Sequence, residues 1–251
     1  MTIVDALLIA GPASFFLLLA LEACFPARAL ATIPGFRWLG VFGLLVMMMI
    51  GTYLPLVVPQ DWVQGYRLFD LSGWNPWLAG GVGWLVYTLL GYLWHRAVHA
   101  SPWLWRMVHQ LHHAPTRLDV ASSTIFHPTE TAGYTALALI TTVLLLGLAP
   151  IPAACIGSFS AFVSFFQHAN IRTPSWVGYI IQRPEAHSLH HHIKGPQGNY
   201  SDFPLWDVLF GTFSNPAVAS AQVGFEQQAA RRWLAMLAFV DVHQSKRAPS
   251  T

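Results

Sequence analysis

Five apolar stretches divide this chain, and they limit its possible folds more than any other feature. They cover about residues 6–24, 38–58, 77–94, 131–149 and 152–167. A hydrocarbon core of about 30 Å takes about 20 helical residues to cross. Each of the first four stretches is long enough, or nearly so, and the fifth is short. Trp77 and Trp94 bracket the third as an interfacial aromatic belt would. Ala149-Pro150-Ile151-Pro152 alone joins the fourth to the fifth, which predicts a tight helical hairpin. Composition agrees, since 54% of residues are hydrophobic and 10% charged, where soluble domains average roughly 25% charged. The expected fold is an all-α integral membrane protein. It has about four to five transmembrane or re-entrant helices and a cytosolic, histidine-rich helical cap.

Histidines gather at the ends of these stretches: His95 and His99 in H-R-A-V-H, His109, His112 and His113 in H-Q-L-H-H, and His187, His190 and His191 in H-S-L-H-H. Positions i and i+4 share a helix face, so His95 and His99 can address one ion. His109, His112 and His113 fall within roughly 100° of bearing and can do the same. Neutral imidazole binds iron, zinc, copper and nickel. Chance would not place most of twelve histidines in spaced groups. His168, directly after the fifth stretch, brings the candidates in these groups to nine. One zinc takes four ligands and one haem at most two. Nine suits two six-coordinate ions with positions left for oxygen and substrate. No Glu-x-x-His pair occurs, which sets the chain apart from soluble carboxylate di-iron bundles.

Charge and cysteine usage exclude several classes. A net charge of +2, with no basic run beyond Arg231-Arg232 and Lys246-Arg247, argues against nucleic acid as a partner. Cys24 and Cys155 form no CxxC, so iron–sulfur and zinc-ribbon sites lack ligands. Leu21-Glu22-Ala23-Cys24 faintly suggests a lipoprotein cleavage site, but Asp5 stands where a signal peptide needs basic residues. If residues 95–130 face the cytoplasm, twelve of the thirteen Lys and Arg residues fall on that side, leaving only Arg67 outside. The positive-inside rule favours that orientation, which puts the metal site on the cytoplasmic face. Three units follow: N-terminal transmembrane helices and a loop (1–76), a histidine-box core (77–215) and an amphipathic tail (216–251). Within the tail, residues 226–240 are expected to form one amphipathic helix lying on the bilayer or the cap.

The three histidine boxes, followed by Gly198-Asn199-Tyr200 and by L-W-D-V-L-F-G-T-F over residues 205–213, resemble the fatty acid hydroxylase/sterol desaturase superfamily across roughly residues 85–215. The resemblance implies a membrane-bound oxygenase with a di-iron centre that uses O₂ and two electrons to hydroxylate or desaturate a lipid C–H bond. By that resemblance His95, His99, His109, His112, His113, His187, His190 and His191 are ligands. His168, in Phe166-Gln167-His168-Ala169-Asn170, matches a further family position. Some hydroxylases of this family carry a second histidine four residues before that position, where this chain has Ser164. The site is then one ligand short, or His127 completes it; a hydrogen-bonding role for His127 is the other reading. His192 reads as a supporting or surface residue, and His243 as solvated. Asp119, Glu130 and Glu185 could orient imidazoles through their second nitrogens or simply pair with arginines. Asn199, Asp207, Trp206 and Phe210 are expected to anchor and pack the cap.

A lipid substrate explains why such a site adjoins the bilayer, with a groove expected between the third and fourth stretches. No flavin, haem or iron–sulfur motif is present, so electrons must come from an external partner such as a cytochrome or ferredoxin. Competing readings are a histidine-rich metal-binding or transport protein, a bis-histidine cytochrome, and a non-catalytic relative of the oxygenase fold. Transport sites sit near the bilayer midplane, where only Glu22 lies well inside an apolar stretch here.

Overall fold

The computed structural model describes residues 1–243; the basic pair Lys246-Arg247 lies outside them. Eleven α-helices order the described residues: α1 (Ile3–Cys24), α2 (Phe36–Tyr53), α3 (Gln60–Gln64), α4 (Pro76–Ala100), α5 (Pro102–Leu104), α6 (Pro128–Leu139), α7 (Pro150–His168), α8 (Pro184–His190), α9 (Pro204–Leu209), α10 (Gln227–Ala230) and α11 (Trp233–Leu237). Proline opens α4, α6, α7, α8 and α9. Its fixed φ suits the first helical turn, where the missing N–H has no partner anyway. Thr2 and Asp5 close a reciprocal capping box on α1, and Asn75 Oδ1 accepts from the N–H groups of Trp77 and Leu78 on α4.

Among the described residues, four helices are long and apolar enough to cross a membrane: Ile3–Cys24, Phe36–Val57, Pro76–Ala100 and Pro150–His168. Their outer faces stay bare of protein. Ile9, Phe16, Leu17, Trp38, Phe42 and Met49 are each more than half exposed. Water would penalise so continuous an apolar wall, so lipid covers it. The protein is an integral membrane protein, all-helical over its described residues.

Small residues set how these helices meet. Gly11 abuts Ala161 and Ser158, Ser158 Oγ donates to the Leu7 carbonyl, and Phe15 meets Phe165 edge-on at 5.4 Å. These paired numbers rise together, so α1 and α7 run parallel along their length. A 3₁₀ turn over Val120–Thr124 backs onto α2. A Cβ on Gly40 would lie 2.8 Å from Ala121, and one on Gly43 would collide with the Thr124 carbonyl. Glu22, buried near the end of α1, accepts from the N–H groups of Val120 and Asn170 at 3.0 and 3.1 Å. One carboxylate thereby ties three distant segments together.

Three expectations change. The stretch at 131–149 is not one even span, because α6 gives way to a π-helical segment over Ile140–Leu145. Thr141 and Thr142 hydroxyls donate to the Leu137 and Ala138 carbonyls there, a competition that bends helices. The segment ends where the carbonyls of Leu144, Leu145 and Leu146 accept from the N–H groups of Leu68, Phe69 and Leu71. The anticipated hairpin is absent too: α7 packs along α1 and α4, while α6 packs on α2 and α4. Residues 226–240 form two short helices rather than one. Buried Met236 docks them on Leu111, Ala114, Phe225 and Val242, while Trp233 and Leu234 stay exposed.

Candidate metal centre

The helix directions bring the histidines to one end of the bundle. His95 and His99 sit in the last turns of α4, and His168 is the last residue of α7. His109 closes a π-helical segment over Trp105–His109, and His112 and His113 follow in the turn beyond it. His187 and His190 lie on α8, with His191 as its C-cap.

Nine imidazoles converge there as two groups: His95, His99, His109, His113 and His190 in one, and His112, His168, His187 and His191 in the other. Each HxxHH box is split between them, which corrects the expectation that one box addresses one ion. Neighbouring residues on a helical turn differ by about 100°, so His112 and His113 look different ways. The first group takes His109, His113 and His190; the second takes His112, His187 and His191.

Hydrogen bonds show which nitrogen four of the rings offer. Nδ1–H of His95 donates to the Tyr200 carbonyl at 2.7 Å, that of His190 to Gly198 at 3.0 Å, and that of His168 to Ser164 at 2.7 Å. His109 Nδ1 donates to Glu130 Oε1 at 2.5 Å. A neutral imidazole carrying its proton on Nδ1 presents a bare lone pair at Nε2. Across the nine rings the Nε2 atoms face one another: His95–His109 at 2.9 Å, His109–His113 at 3.0 Å, His99–His190 at 3.1 Å, His112–His168 at 3.2 Å, His168–His187 at 3.3 Å and His187–His191 at 3.1 Å. In the His95–His109 pair both rings carry the proton on Nδ1, so two bare lone pairs face each other, and they repel unless a cation lies between them. With metal–nitrogen bonds of about 2.1 Å, ligands at right angles stand about 3.0 Å apart. The donor set therefore fits two metal ions. Burial, reinforced by neighbouring imidazoles, holds His109, His112, His113, His187, His190 and His191 well below the ordinary histidine range. Neutral rings are the ligand form.

Of the three acids considered as orienters, only Glu130 reaches an imidazole. Burial pushes its carboxyl well above the usual range, and its Oε2 has no hydrogen-bond partner among the described residues. Asp119 pairs with Arg117 and caps the Val120–Thr124 turn. Glu185 pairs with Arg183 and Thr173; burial would raise its carboxyl, but those bonds outweigh it and hold it low. His127 belongs to neither group. It caps α6, with Nδ1 against Thr129 and Nε2 against the Leu237 carbonyl. His192 accepts from the Lys194 N–H, and His243 is exposed beside Phe225.

The cap residues hold the third box in place. Asp207 accepts from the N–H groups of Tyr200 and Ser201 and from Thr212 Oγ1. Asn199 bonds Ala186 and Ser214. Gly198 has φ +89°, and a Cβ there would strike the Thr212 carbonyl, so only glycine lets this turn present its own carbonyl to His190. Trp206 Nε1 donates to Thr88 Oγ1 at 2.9 Å and Phe210 stacks on Tyr92 at 5.0 Å, fastening the cap to α4. The carbonyls that orient His95, His168 and His190 carry no signal in the sequence, since a backbone acceptor has no residue type.

A cavity of about 420 Å³ runs from the apolar helices to the histidines. Leu44, Met47, Leu139 and Ile156 line its outer part, and His95, His109, His112, His168 and His187 its floor. The expected groove between the third and fourth stretches is part of it, widened by α1, α2 and α7. A second cavity of about 430 Å³ reaches His99, His113 and His191 past Trp105 and Lys194.

The fatty acid hydroxylase family model matches residues 81–212, which hold all nine grouped histidines. Ornithine lipid hydroxylase OlsE of Rhizobium tropici is 32% identical over 206 residues, 78% of this chain and 61% of that protein. Sphinganine C4-monooxygenase 1 of Arabidopsis thaliana is 23% identical over 126 residues, 49% of this chain and 48% of that protein. Very-long-chain aldehyde decarbonylase GL1-9 of Oryza sativa subsp. indica is 26% identical over 159 residues, 60% of each. The chain thus spans between about half and three fifths of the length of these curated relatives. No solved structure matches it. Family match, histidine boxes and two-group geometry coincide on the same residues, and the chain belongs to the fatty acid hydroxylase family.

Proposed function

We propose that this chain is a membrane-bound, O₂-dependent di-iron oxygenase that hydroxylates a lipid C–H bond. The observation that carries this reading is the apolar cavity with histidine donors of both groups at its floor. His95, His99, His109, His113 and His190 would hold one iron, and His112, His168, His187 and His191 the other. Bound there, the irons would supply the oxidising power of O₂ toward an unactivated C–H bond. The net balance is R–H + O₂ + 2 e⁻ + 2 H⁺ → R–OH + H₂O.

The protein's own part is to position and to shield. Carbonyls of Tyr200, Gly198 and Ser164, with Glu130, fix ring orientation through Nδ1. Leu44, Met47, Leu139 and Ile156 hold an alkyl chain and exclude water. Hydroxylation, rather than desaturation, is favoured because the relatives from Rhizobium tropici and Arabidopsis thaliana are a lipid hydroxylase and a monooxygenase by name. The two electrons come from an external redox protein of the cytochrome or ferredoxin class. The positive-inside rule supports a cytoplasmic position for the centre, as Arg28, Arg37, Arg96, Arg117 and Arg183 belong to the histidine end and Arg67 to the opposite loop.

The test is lipid mass spectrometry of cells expressing the wild type or His112→Ala. The expected result is a lipid gaining one oxygen atom with the wild type alone, together with loss of iron from the purified variant. Full oxidation by His112→Ala would contradict the proposal.

A further inference from the structure

The inner cavity carries a second set of polar groups that metal ligation leaves unused. Asp202 lines it, enclosed by protein yet only partly covered, because it faces the open volume. Its Oδ1 accepts from Gln167 Nε2 at 3.1 Å. Oδ2 has no partner among the described residues, and no lysine or arginine lines the cavity. Thr131 Oγ1 and Ser160 Oγ line the same volume, their residues 7% and 9% exposed; Thr131 Oγ1 has no hydrogen-bond partner among the described residues, and Ser160 Oγ faces the Tyr87 hydroxyl, which lines the cavity too. Tyr134, also lining it, lies within electrostatic range of Asp202. Buried polar atoms of this kind are normally satisfied, and a buried carboxylate is costly without a cation. Burial pushes the Asp202 carboxyl up to about 6, which leaves it mostly ionised at neutral pH.

We propose that Asp202, with the hydroxyls of Thr131, Tyr134 and Ser160, forms a subsite for the ammonium group of an amine-bearing lipid. An ammonium brings three N–H donors and one positive charge, matching a carboxylate oxygen and the neighbouring hydroxyl acceptors. The alkyl part then runs along Leu44, Met47, Leu139 and Ile156. A carboxylate or phosphate head is disfavoured, because it would meet a like charge in a dry cavity. This inference rests on the reading that the cavity takes a lipid, and it names the chemistry of that lipid's polar end.

The test exposes the iron-loaded protein in detergent micelles to an equimolar mixture of hexadecylamine and 1-hexadecanol. Native mass spectrometry then reads which one each chain retains. The expected wild-type result is about tenfold or more amine over alcohol, as a charge-assisted bond gives. In Asp202→Asn, which keeps an oxygen for Gln167, the ratio falls to near one; in Ser160→Ala it falls by a smaller factor. Equal retention by the wild type, or an amine preference that survives Asp202→Asn, overturns the subsite and leaves the lipid channel standing. Retention of neither probe overturns the channel, and the subsite with it. Should Asp202→Asn fail to fold, palmitic acid decides on the wild type alone: retention about tenfold below the amine is expected, and equal retention overturns the proposal.

Discussion

The two histidine groups share a floor but are built to different standards. The first has five rings, three of them locked through Nδ1 to Tyr200, Glu130 and Gly198. The second has four rings, of which only His168 is locked, to the carbonyl of Ser164. The Nδ1 atoms of His112 and His187 are buried without a partner among the described residues. Ring orientation fixed in advance raises metal affinity, and its loss typically costs 10–100-fold. On the proposed reading the first group is the tighter site and the second the more yielding one. Ser164, where the family resemblance leads one to expect a further histidine, stands one helical turn before His168 and lines the cavity.

The sharpest way to break this contrast is to remove one ring from each side. His191→Ala leaves three donors in the second group, and metal is expected to fall to about one ion per chain, with lipid oxidation lost. His113→Ala leaves four in the first, and elemental analysis is expected to find close to two ions. Equal loss from both would erase the asymmetry. Next comes Glu130→Ala, which frees His109 to rotate and leaves its Nδ1–H unbonded. A drop of about 10–100-fold in metal affinity, measured by chelator competition, is expected with the fold intact.

Glu22→Ala shifts attention from the ligands to the scaffold that aligns both groups. Two buried N–H groups lose their acceptor, and each orphaned group costs about 1–3 kcal/mol. A lowered thermal midpoint with normal iron stoichiometry is expected. The smallest effect belongs to His127→Ala. It removes a helix cap worth about 0.5–2 kcal/mol and should leave the metal content unchanged; a lost ion would return His127 to the ligand set.

What could be read from residue order, and what could not, divides along physical lines. The apolar stretches announced α1, α2 and α4, and the spacing of the boxes announced convergent imidazoles, because both signals are carried by side chains. The α–π transition at Ile140 escaped notice, since a change in backbone hydrogen-bond register leaves the apolar pattern of the sequence unaltered. The partition of each box between two groups escaped as well. It depends on the π-helical segment at Trp105–His109 and on the turn that follows, where ideal helical bearings no longer apply. His127 looked like a spare ligand in the sequence, while its backbone position made it a cap. The oxygen-lined cavity wall at Thr131, Ser160 and Asp202 is assembled from α6, α7 and a loop, which no local pattern links.

The central claim is that two ions sit in these two cages. Elemental analysis of the purified wild-type protein, with the chain quantified by amino-acid analysis, tests it most directly. The account predicts close to two iron atoms per chain, the second leaving ahead of the first under a rising chelator concentration. A chain that folds and oxidises lipid with one ion or none would contradict it.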